Sequence, residues 1–401
     1  MKINVRGHIR DLLAFRGLLP KRIKRIARAA PHPVDPGVIN ELAQQLHPSK
    51  QSLVVAEVKD ETKSTKTFRL VADPDAGGSE LAFFRAGQYL SLKVEVAGVN
   101  ITRPYSISSA PCEAMGSGGF YDITIKEKQD GFLTPYIWDQ WGEGTKVESS
   151  GPHGFFYYEP LRDERQIVGL AGGAGITPFH SMAREIAYGD LDVELLVLHG
   201  SAEEDDIIFY DEFKQLEKET NGKVQIVHVL SCAEVSLAGC EQGFITTDIV
   251  EKYANIDRSS VFICGPAAMH SFADQELAPF NLPHRRVRRE SLGQIEDVAQ
   301  LPGYPKDIAG ETFRLVVRVG GEVVDIPAMA AETVLVAVER ANLAPPSRCR
   351  SGECGFCRSR LISGEVYVNP DGDGRRGADR QFGYIHPCSS YPTSDLEIEV
   401  L

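Results

Sequence analysis

The period of the apolar positions changes repeatedly along the chain. In residues 1–30, Ile9, Leu12, Leu13, Leu18, Leu19, Ile23 and Ile26 are interleaved with Lys2, Arg6, Arg10, Arg16, Lys21, Arg22, Lys24, Arg25 and Arg28. That spacing predicts an amphipathic helix, broken near Gly17 and Pro20. Pro31, Pro33 and Pro36 interrupt the pattern. Asp35-Pro36 offers a cap and first-turn pair for a second helix to about Leu46. From Gln51 to about Tyr158 the period becomes two: SLVVAEV, KTFRLVA, QYLSLKVEV, YDITIKEK and KVESS read as short antiparallel strands between glycine-rich turns, which suggests a small barrel.

From about Arg165 to Glu290 strands and helices alternate. QIVGLAG, VELLVLHG, VQIVHVL and SVFICG are continuous apolar runs; Thr177 to Tyr188, DEFKQLEKE, TTDIVEKY and AAMHSFADQEL carry helical periodicity. This predicts a doubly wound parallel sheet. Residues 292–311 are polar, contain Gly and Pro, and read as a linker. Strands return as TFRLVVRVGG and EVVDIP, followed by a helix over ETVLVAVERANL and then a cysteine-rich loop. The chain is therefore expected to be multidomain: a basic helical extension (1–50), an all-β barrel (51–160), an α/β domain (161–291), the linker (292–311) and an α+β domain (312–401).

Charge refines this picture. The net charge is −13, but residues 1–50 carry ten Lys/Arg against three Asp/Glu, so a basic arm precedes an acidic body. That balance argues against a general nucleic-acid binder. The arm suits peripheral contact with an anionic membrane, an acidic partner, or the acidic body of its own chain or a second copy. No apolar run is long enough to span a membrane, and no secretory signal is evident, so a cytoplasmic location is expected.

Cysteine usage sharpens the C-terminal domain. Four of the eight cysteines lie in the last 53 residues, and three fall within nine positions. Without an export signal, clustered thiols read as metal ligands rather than disulfides. Cys349-x4-Cys354-x2-Cys357, with Cys388 further on, has the plant-type [2Fe–2S] ferredoxin spacing. Ser351, Gly352 and Gly355 would let backbone N–H groups approach the sulfurs. Such clusters have potentials of roughly −400 mV. Four thiolates also suit structural zinc, although zinc ligands usually come as paired CxxC knuckles.

In the barrel region, Arg103-Pro104-Tyr105-Ser106 follows a predicted strand. With this motif the chain resembles the ferredoxin–NADP reductase superfamily, whose RxYS pattern it matches. The resemblance implies that Arg103 pairs with a flavin phosphate, Tyr105 lies against the isoalloxazine and the Ser106 hydroxyl approaches its reactive nitrogen. Gly131-Phe132-Leu133-Thr134, before a short helix, resembles the family's second phosphate-binding segment, and two such segments favour FAD over FMN. Gly151-Pro152-His153-Gly154 resembles the turn that closes the barrel and reads as structural.

The α/β region continues the resemblance. Gly172-Gly173-Ala174-Gly175-Ile176-Thr177-Pro178, between a strand and a helix, matches the family's GxGITP turn. There small residues (Gly173, Gly175) and the helix start (Ile176, Thr177, Pro178) would receive a dinucleotide pyrophosphate. Cys264-Gly265-Pro266 ends an apolar strand, where open α/β sheets bind ligands. The family's CGP motif places Cys264 near the nicotinamide. Glu290, ending RRVRRE, is a second candidate beside the ring. After the strand LLVLHGS comes Ala202-Glu203-Glu204-Asp205-Asp206, an acidic run that would repel a 2′-phosphate and so favours NADH over NADPH.

The resemblance spans residues 51–401 and implies an antiparallel flavin barrel, a nicotinamide domain and a β-grasp-like ferredoxin domain. Cys264, Glu290 and Ser106 would form the catalytic group, and electrons would pass from NADH through FAD and the cluster to a partner protein such as an oxygenase or another terminal redox enzyme. The loop Cys349–Cys357 would receive that partner. A redox-sensing module, whose cofactor state controls binding through the basic arm, is the alternative.

Overall fold

The computed structural model describes residues 9–28, 37–46, 48–77, 80–129, 131–232, 236–293, 295, 297–343 and 346–400. They form two units, residues 1–46 and residues 47–401. The first holds two helices, α1 (Ile9–Ala27) and α2 (Val38–Leu46). The expected break near Gly17 and Pro20 does not occur, because α1 runs through both. Proline there removes one hydrogen bond, to the carbonyl of Arg16, and the flanking turns carry the helix past it. The apolar side chains Leu18, Ile23 and Ile26 are exposed. The Asp35-Pro36 cap lies outside the described residues. Among the described residues no helix is long and apolar enough to cross a membrane.

The second unit opens with an antiparallel barrel: β1 (Gln51–Thr62), β2 (Thr65–Ala72), β3 (Tyr89–Val96), β4 (Val99–Ser106), β5 (Tyr121–Lys126), a short helix α3 (Thr134–Gln140) and β6 (Lys146–His153). The order is β4-β3-β6-β1-β2-β5, and a bridge from Ile107 to Ile123 joins the two ends. The Arg103–Ser106 motif does not follow a strand; it is the second half of β4. The sequence hid this because Pro104 breaks a strand pattern. Proline fits since β4 has one full ladder neighbour, with Pro104 opposite Ser91 on β3. Inside, Phe68, Phe84, Leu90, Leu92, Tyr121 and Ile123 are fully or nearly fully buried, and Phe68 meets Trp141 edge-on at 5.6 Å.

The next layer is β7 (Gln166–Gly172), α4 (Thr177–Tyr188), β8 (Glu194–Ser201), α5 (Tyr210–Glu219), β9 (Val224–Leu230), β10 (Glu241–Gln242), α6 (Thr247–Tyr253), β11 (Ser259–Cys264), α7 (Ala267–Leu277) and β12 (Val287–Glu290). Its six strands are all parallel, in the order β10-β9-β8-β7-β11-β12. Helices cover both faces. Leu195 and Val197 of β8 enter one core while Leu196 and Leu198 enter the other, which is why these strands read as continuous apolar runs. Chain direction across the sheet reverses between β7 and β11, so the turns after those two strands lie side by side.

Residues 292–311 are more than a spacer. Val298 and Tyr304 are buried, and Tyr367 donates to the carbonyl of Pro302 at 2.8 Å, so this segment is a strap on the last domain. That domain comprises β13 (Thr312–Val319), β14 (Glu322–Met329), α8 (Val334–Arg340), β15 (Ser359–Ser363), β16 (Val366–Val368), α9 (Gly377–Gln381), β17 (Tyr384–Ile385), β18 (Ser390–Pro392) and β19 (Leu396–Val400). A mixed sheet, β14-β13-β19-β15-β17, packs against α8, with β16 and β18 paired separately. Thr333 caps α8 by accepting from Val336 N–H.

One buried ion pair locks barrel to sheet. Arg288 of β12 donates through Nε to Asp163 at 3.1 Å and through Nη1 to the Phe155 carbonyl at 2.7 Å, and also reaches the Tyr157 carbonyl. Replacing Asp163 by Ala would leave a buried guanidinium unpaired. Thermal or urea denaturation should show a loss of about 3–5 kcal/mol.

Candidate functional site

The register of the parallel sheet builds the centre of the site. Cys264 at the end of β11 pairs with Ala171 on one side and with Glu290 at the end of β12 on the other. Both side chains are buried. From the barrel, Ser106 at the end of β4 donates through Oγ to Glu290 Oε2 at 3.1 Å. Three residues that lie 158 or more positions apart from barrel to sheet, Ser106, Cys264 and Glu290, therefore meet where the two domains touch. Burial pushes the Glu290 carboxyl up to about 8, opposed by the Ser106 hydrogen bond. Burial, and then the nearby Glu290 charge, holds the Cys264 thiol well above its ordinary range. At neutral pH this is a proton-holding pair, not a thiolate nucleophile.

Two residues not singled out for chemistry complete this wall. Gly154 has φ +102°, and a Cβ there would lie 3.0 Å from the Tyr89 ring and 3.5 Å from Glu290 Oε1. Gly154 therefore belongs to the site rather than only to the turn closing the barrel. Tyr89 is buried between Glu290 and the cysteine loop, and burial together with the charges of Cys349 and Cys354 raises its hydroxyl far above its usual range. Neither carries a sequence signal that separates it from ordinary barrel residues.

The glycine turn after β7 abuts the Cys264-Gly265-Pro266 turn. A Cβ at Gly175 would lie 2.1 Å from the Cys264 carbonyl oxygen, and one at Gly172 would lie 2.5 Å from Met269 Sδ. Only glycine permits this approach of two backbones. Gly173 has φ +52° with open space at its Cβ position, so its side of the turn can receive a ligand. Gly175 and Ile176 are buried; Thr177 is the first residue of α4 and its hydroxyl donates to the Ala174 carbonyl at 3.0 Å. Pro178 fills the first helical turn, and Pro266 caps α7. This small-residue turn at a helix start fits a dinucleotide pyrophosphate.

Two other predicted segments are more committed than expected. The Thr134 hydroxyl bonds both the N–H and the C=O of Lys128, at 3.0 and 3.2 Å, and Leu133 is buried in the barrel core. Of the segment, Phe132 is exposed and Gly131 half-buried. In the acidic run, Asp206 binds Lys126, Thr62 and Ser64, Asp205 pairs with Lys63, and Glu204 accepts from the N–H groups of Ser236 and Leu237. Much of that charge thus joins the α/β domain to the barrel.

The four cysteines converge on one site, with Cys349 hydrogen-bonded to both Cys354 and Cys388. Cys354 N–H donates to Cys349 Sγ at 3.4 Å, and Phe356 N–H to Cys354 Sγ at 3.5 Å. Cys357 and Cys388 sulfurs lie 3.3 Å apart. Gly352 and Gly355 have φ +88° and +66°, the left-handed turns that aim these amides at sulfur. Among the described residues no three His, Cys, Asp or Glu side chains gather as around a single metal ion. Four converging thiols with amide donors fit a two-iron cluster.

The loop does not project freely. Glu339 of α8 reaches across to the barrel, 3.7 Å from Arg103 Nη1 and 3.4 Å from the Thr102 N–H, while holding Arg350 at 2.5 Å. Arg350 is buried, and its Nε and Nη2 lack partners among the described residues. Burial and the adjacent Arg350 charge pull the Arg103 guanidinium down to about 10. Two guanidiniums share one carboxylate, and the surplus positive charge with open donors fits a flavin phosphate. Beside them Tyr105 is half-buried and Pro104 buried.

The Glu290 carboxyl gives a pH signature. The folded chain keeps this proton up to about pH 8, whereas an exposed glutamate loses it near 4.5. Where the folded state binds more protons, stability falls as pH rises. The melting temperature of the wild type should therefore drop between about pH 5 and 8 relative to Glu290→Gln, and the two should run parallel above that window.

Comparison with known proteins agrees with this geometry. Residues 52–158 match the oxidoreductase FAD-binding domain, residues 170–275 the oxidoreductase NAD-binding domain, and residues 317–393 the 2Fe-2S iron-sulfur cluster binding domain. The glycine betaine monooxygenase reductase subunit of Chromohalobacter salexigens is 27% identical over 357 residues, covering 86% of this chain and 93% of that protein. The ferredoxin reductase component of 3-ketosteroid-9-alpha-monooxygenase from Mycobacterium tuberculosis is 27% identical over 351 residues, with 86% and 93% covered. A solved structure of phthalate dioxygenase reductase, described as a modular structure for electron transfer from pyridine nucleotides to [2Fe–2S], aligns with a TM-score of 0.62 at 26% identity, covering 88% of this chain and 97% of that one. With its FAD-binding, NAD-binding and 2Fe-2S domains in that order, the chain belongs to the ferredoxin–NADP reductase superfamily, as a flavoprotein ending in a ferredoxin domain.

Proposed function

We propose that this chain is the NADH-dependent reductase component of a multicomponent enzyme, passing electrons to an oxygenase or another terminal redox protein. The observation that carries the reading is the meeting of Ser106, Cys264 and Glu290 beside a cysteine loop docked on the same barrel. When bound, NADH supplies a hydride, FAD accepts it and gives up electrons singly, and the [2Fe–2S] cluster carries them one at a time.

The chain's own groups position and insulate. Arg103 would hold the flavin phosphate, and Tyr105 would lie along the ring. Cys264 and Glu290 would line the nicotinamide side, buried and uncharged, in a wall that keeps water from the reacting ring. Ser106 links them to the flavin side and can pass a proton to or from Glu290 across its 3.1 Å contact. Cys349, Cys354, Cys357 and Cys388 would hold the cluster. NADH is favoured over NADPH because Glu203 remains as an exposed carboxylate after β8, beside the half-buried Glu204, where a 2′-phosphate calls for a cation.

Purified protein should be coloured, release FAD on heating as judged by mass, and contain iron and sulfide rather than zinc. Cys349→Ser should remove the cluster absorption and NADH-dependent cytochrome c reduction while leaving NADH–ferricyanide turnover within about twofold, since that reaction needs the flavin alone. Steady-state kinetics should give a kcat/KM for NADH at least about tenfold above that for NADPH, a difference of ~1.4 kcal/mol. A colourless zinc protein, or a preference for NADPH, would overturn the corresponding assignment.

A further inference from the structure

Although the chain is acidic overall, at −13, one exposed region of the ferredoxin domain has the opposite sign. Arg358, Arg360, Arg376 and Arg380 are exposed, and Arg375 is half-buried among them. Local contacts make them one patch. Arg358 pairs with Asp379 at 3.1 Å and stacks on Tyr384; Arg376 N–H donates to the same Asp379 at 3.2 Å; Arg380 donates to the Arg375 carbonyl at 2.9 Å. Arg360 sits opposite Tyr384 where β15 meets the edge strand β17. Asp373 is shared by Arg375 and Arg380. Asp373, Asp379 and Glu399, which stands opposite Arg360 on β19, thus face five arginines, and Arg360 and Arg376 have no ion pair within 4 Å among the described residues. Phe382, 64% exposed, follows Arg380 by two residues.

The patch lies next to the cysteine loop, and its described contacts stay within the ferredoxin domain. Arg358 follows Cys357 directly. His386, two residues before Cys388, donates through Nδ1–H to the Gly352 carbonyl at 2.5 Å and has Nε2 3.7 Å from Asp379. No described hydrogen bond or ion pair of these arginines leaves residues 312–401. Contacts with the barrel use Glu339, Arg348 and the Cys349 side of the loop instead. On the arginine side the sequence link to the cluster is Arg358, which adjoins Cys357, whereas Tyr89 of the barrel lies beside Cys349 and Cys354.

We propose that Arg358, Arg360, Arg376, Arg380 and Phe382 form the surface on which the electron-accepting protein docks, and that the acceptor presents an acidic rim around an apolar centre. The inference rests on the reductase reading above. Its physical basis is ordinary: rim charges steer encounter and fix orientation, and one aromatic side chain anchors the middle of the contact. It also relocates docking from the Cys349–Cys357 loop, whose first half the barrel already faces.

The test uses the flavin- and cluster-loaded full chain, wild type and Arg360→Glu/Arg376→Glu. The two replaced side chains are exposed and have no ion pair within 4 Å among the described residues, so folding should survive. Probes are an acidic haem protein, the soluble domain of cytochrome b5, the basic cytochrome c, and ferricyanide as a control for the flavin step. Wild type should bind the acidic protein, by calorimetry, with a Kd that weakens as salt rises from about 10 to about 150 mM, where the screening length falls from ~30 to ~8 Å. The double variant should raise that Kd and the corresponding KM by about tenfold at low salt, shift preference toward cytochrome c, and leave ferricyanide turnover unchanged. Unchanged binding of the acidic protein, or a variant that only loses a self-associated form, overturns the docking surface. Absence of NADH–ferricyanide turnover in the wild type overturns the reductase reading, and the docking surface with it.

Discussion

The buried Arg288–Asp163 pair ties β12 to the barrel's closing segment, and the rest of the site is built around that tie. Its guanidinium ties the last strand of the parallel sheet to the barrel's closing segment at Phe155 and Tyr157. Two residues later the strand delivers Glu290 against Ser106. Neither domain alone could bury Glu290: the sheet supplies the carboxyl and its neighbour Cys264, and the barrel supplies the hydroxyl and the glycine gap at Gly154. A carboxyl in this position costs free energy as an anion, so it stays protonated.

Burial has a second use at the other edge of the barrel. Glu339 lies between Arg103 of the flavin motif and Arg350 of the cysteine loop. Opposite charges shared between domains define how the ferredoxin domain sits, because a partner removed leaves a charge in a poor solvent. The same arrangement brings Tyr89, a barrel residue, beside Cys349 and Cys354. Electron transfer within the chain needs such proximity, and here it is built from side chains that no single domain would require.

Once one side of the cysteine loop is occupied by the barrel, the remaining side acquires a different meaning. Arginines around β15, α9 and β17 carry a positive surface in an acidic molecule. The acidic run after β8 shows the reverse: Asp205 and Asp206, which look like a free repulsive surface in the sequence, bind Lys63 and Lys126 of the barrel. Local charge thus acquires its role only when its neighbours are known.

The sequence alone determined the domain order, the parallel sheet, most strands and the cysteine spacing. Those features depend on local periodicity and on residue types at short spacing, such as Gly172 to Pro178 or Cys349 to Cys357. It misread β4, where Pro104 masks a strand that tolerates it at a sheet end, and α1, where Pro20 does not stop the helix. It treated residues 292–311 as a spacer because the burial of Val298 and Tyr304 depends on Tyr367 and Tyr391 far along the chain. Tertiary structure alone decided that Tyr89, Gly154, Glu339 and Arg350 belong to the site. Their roles come from charges and close approaches between domains, and interactions across hundreds of residues leave no periodic trace in the chain.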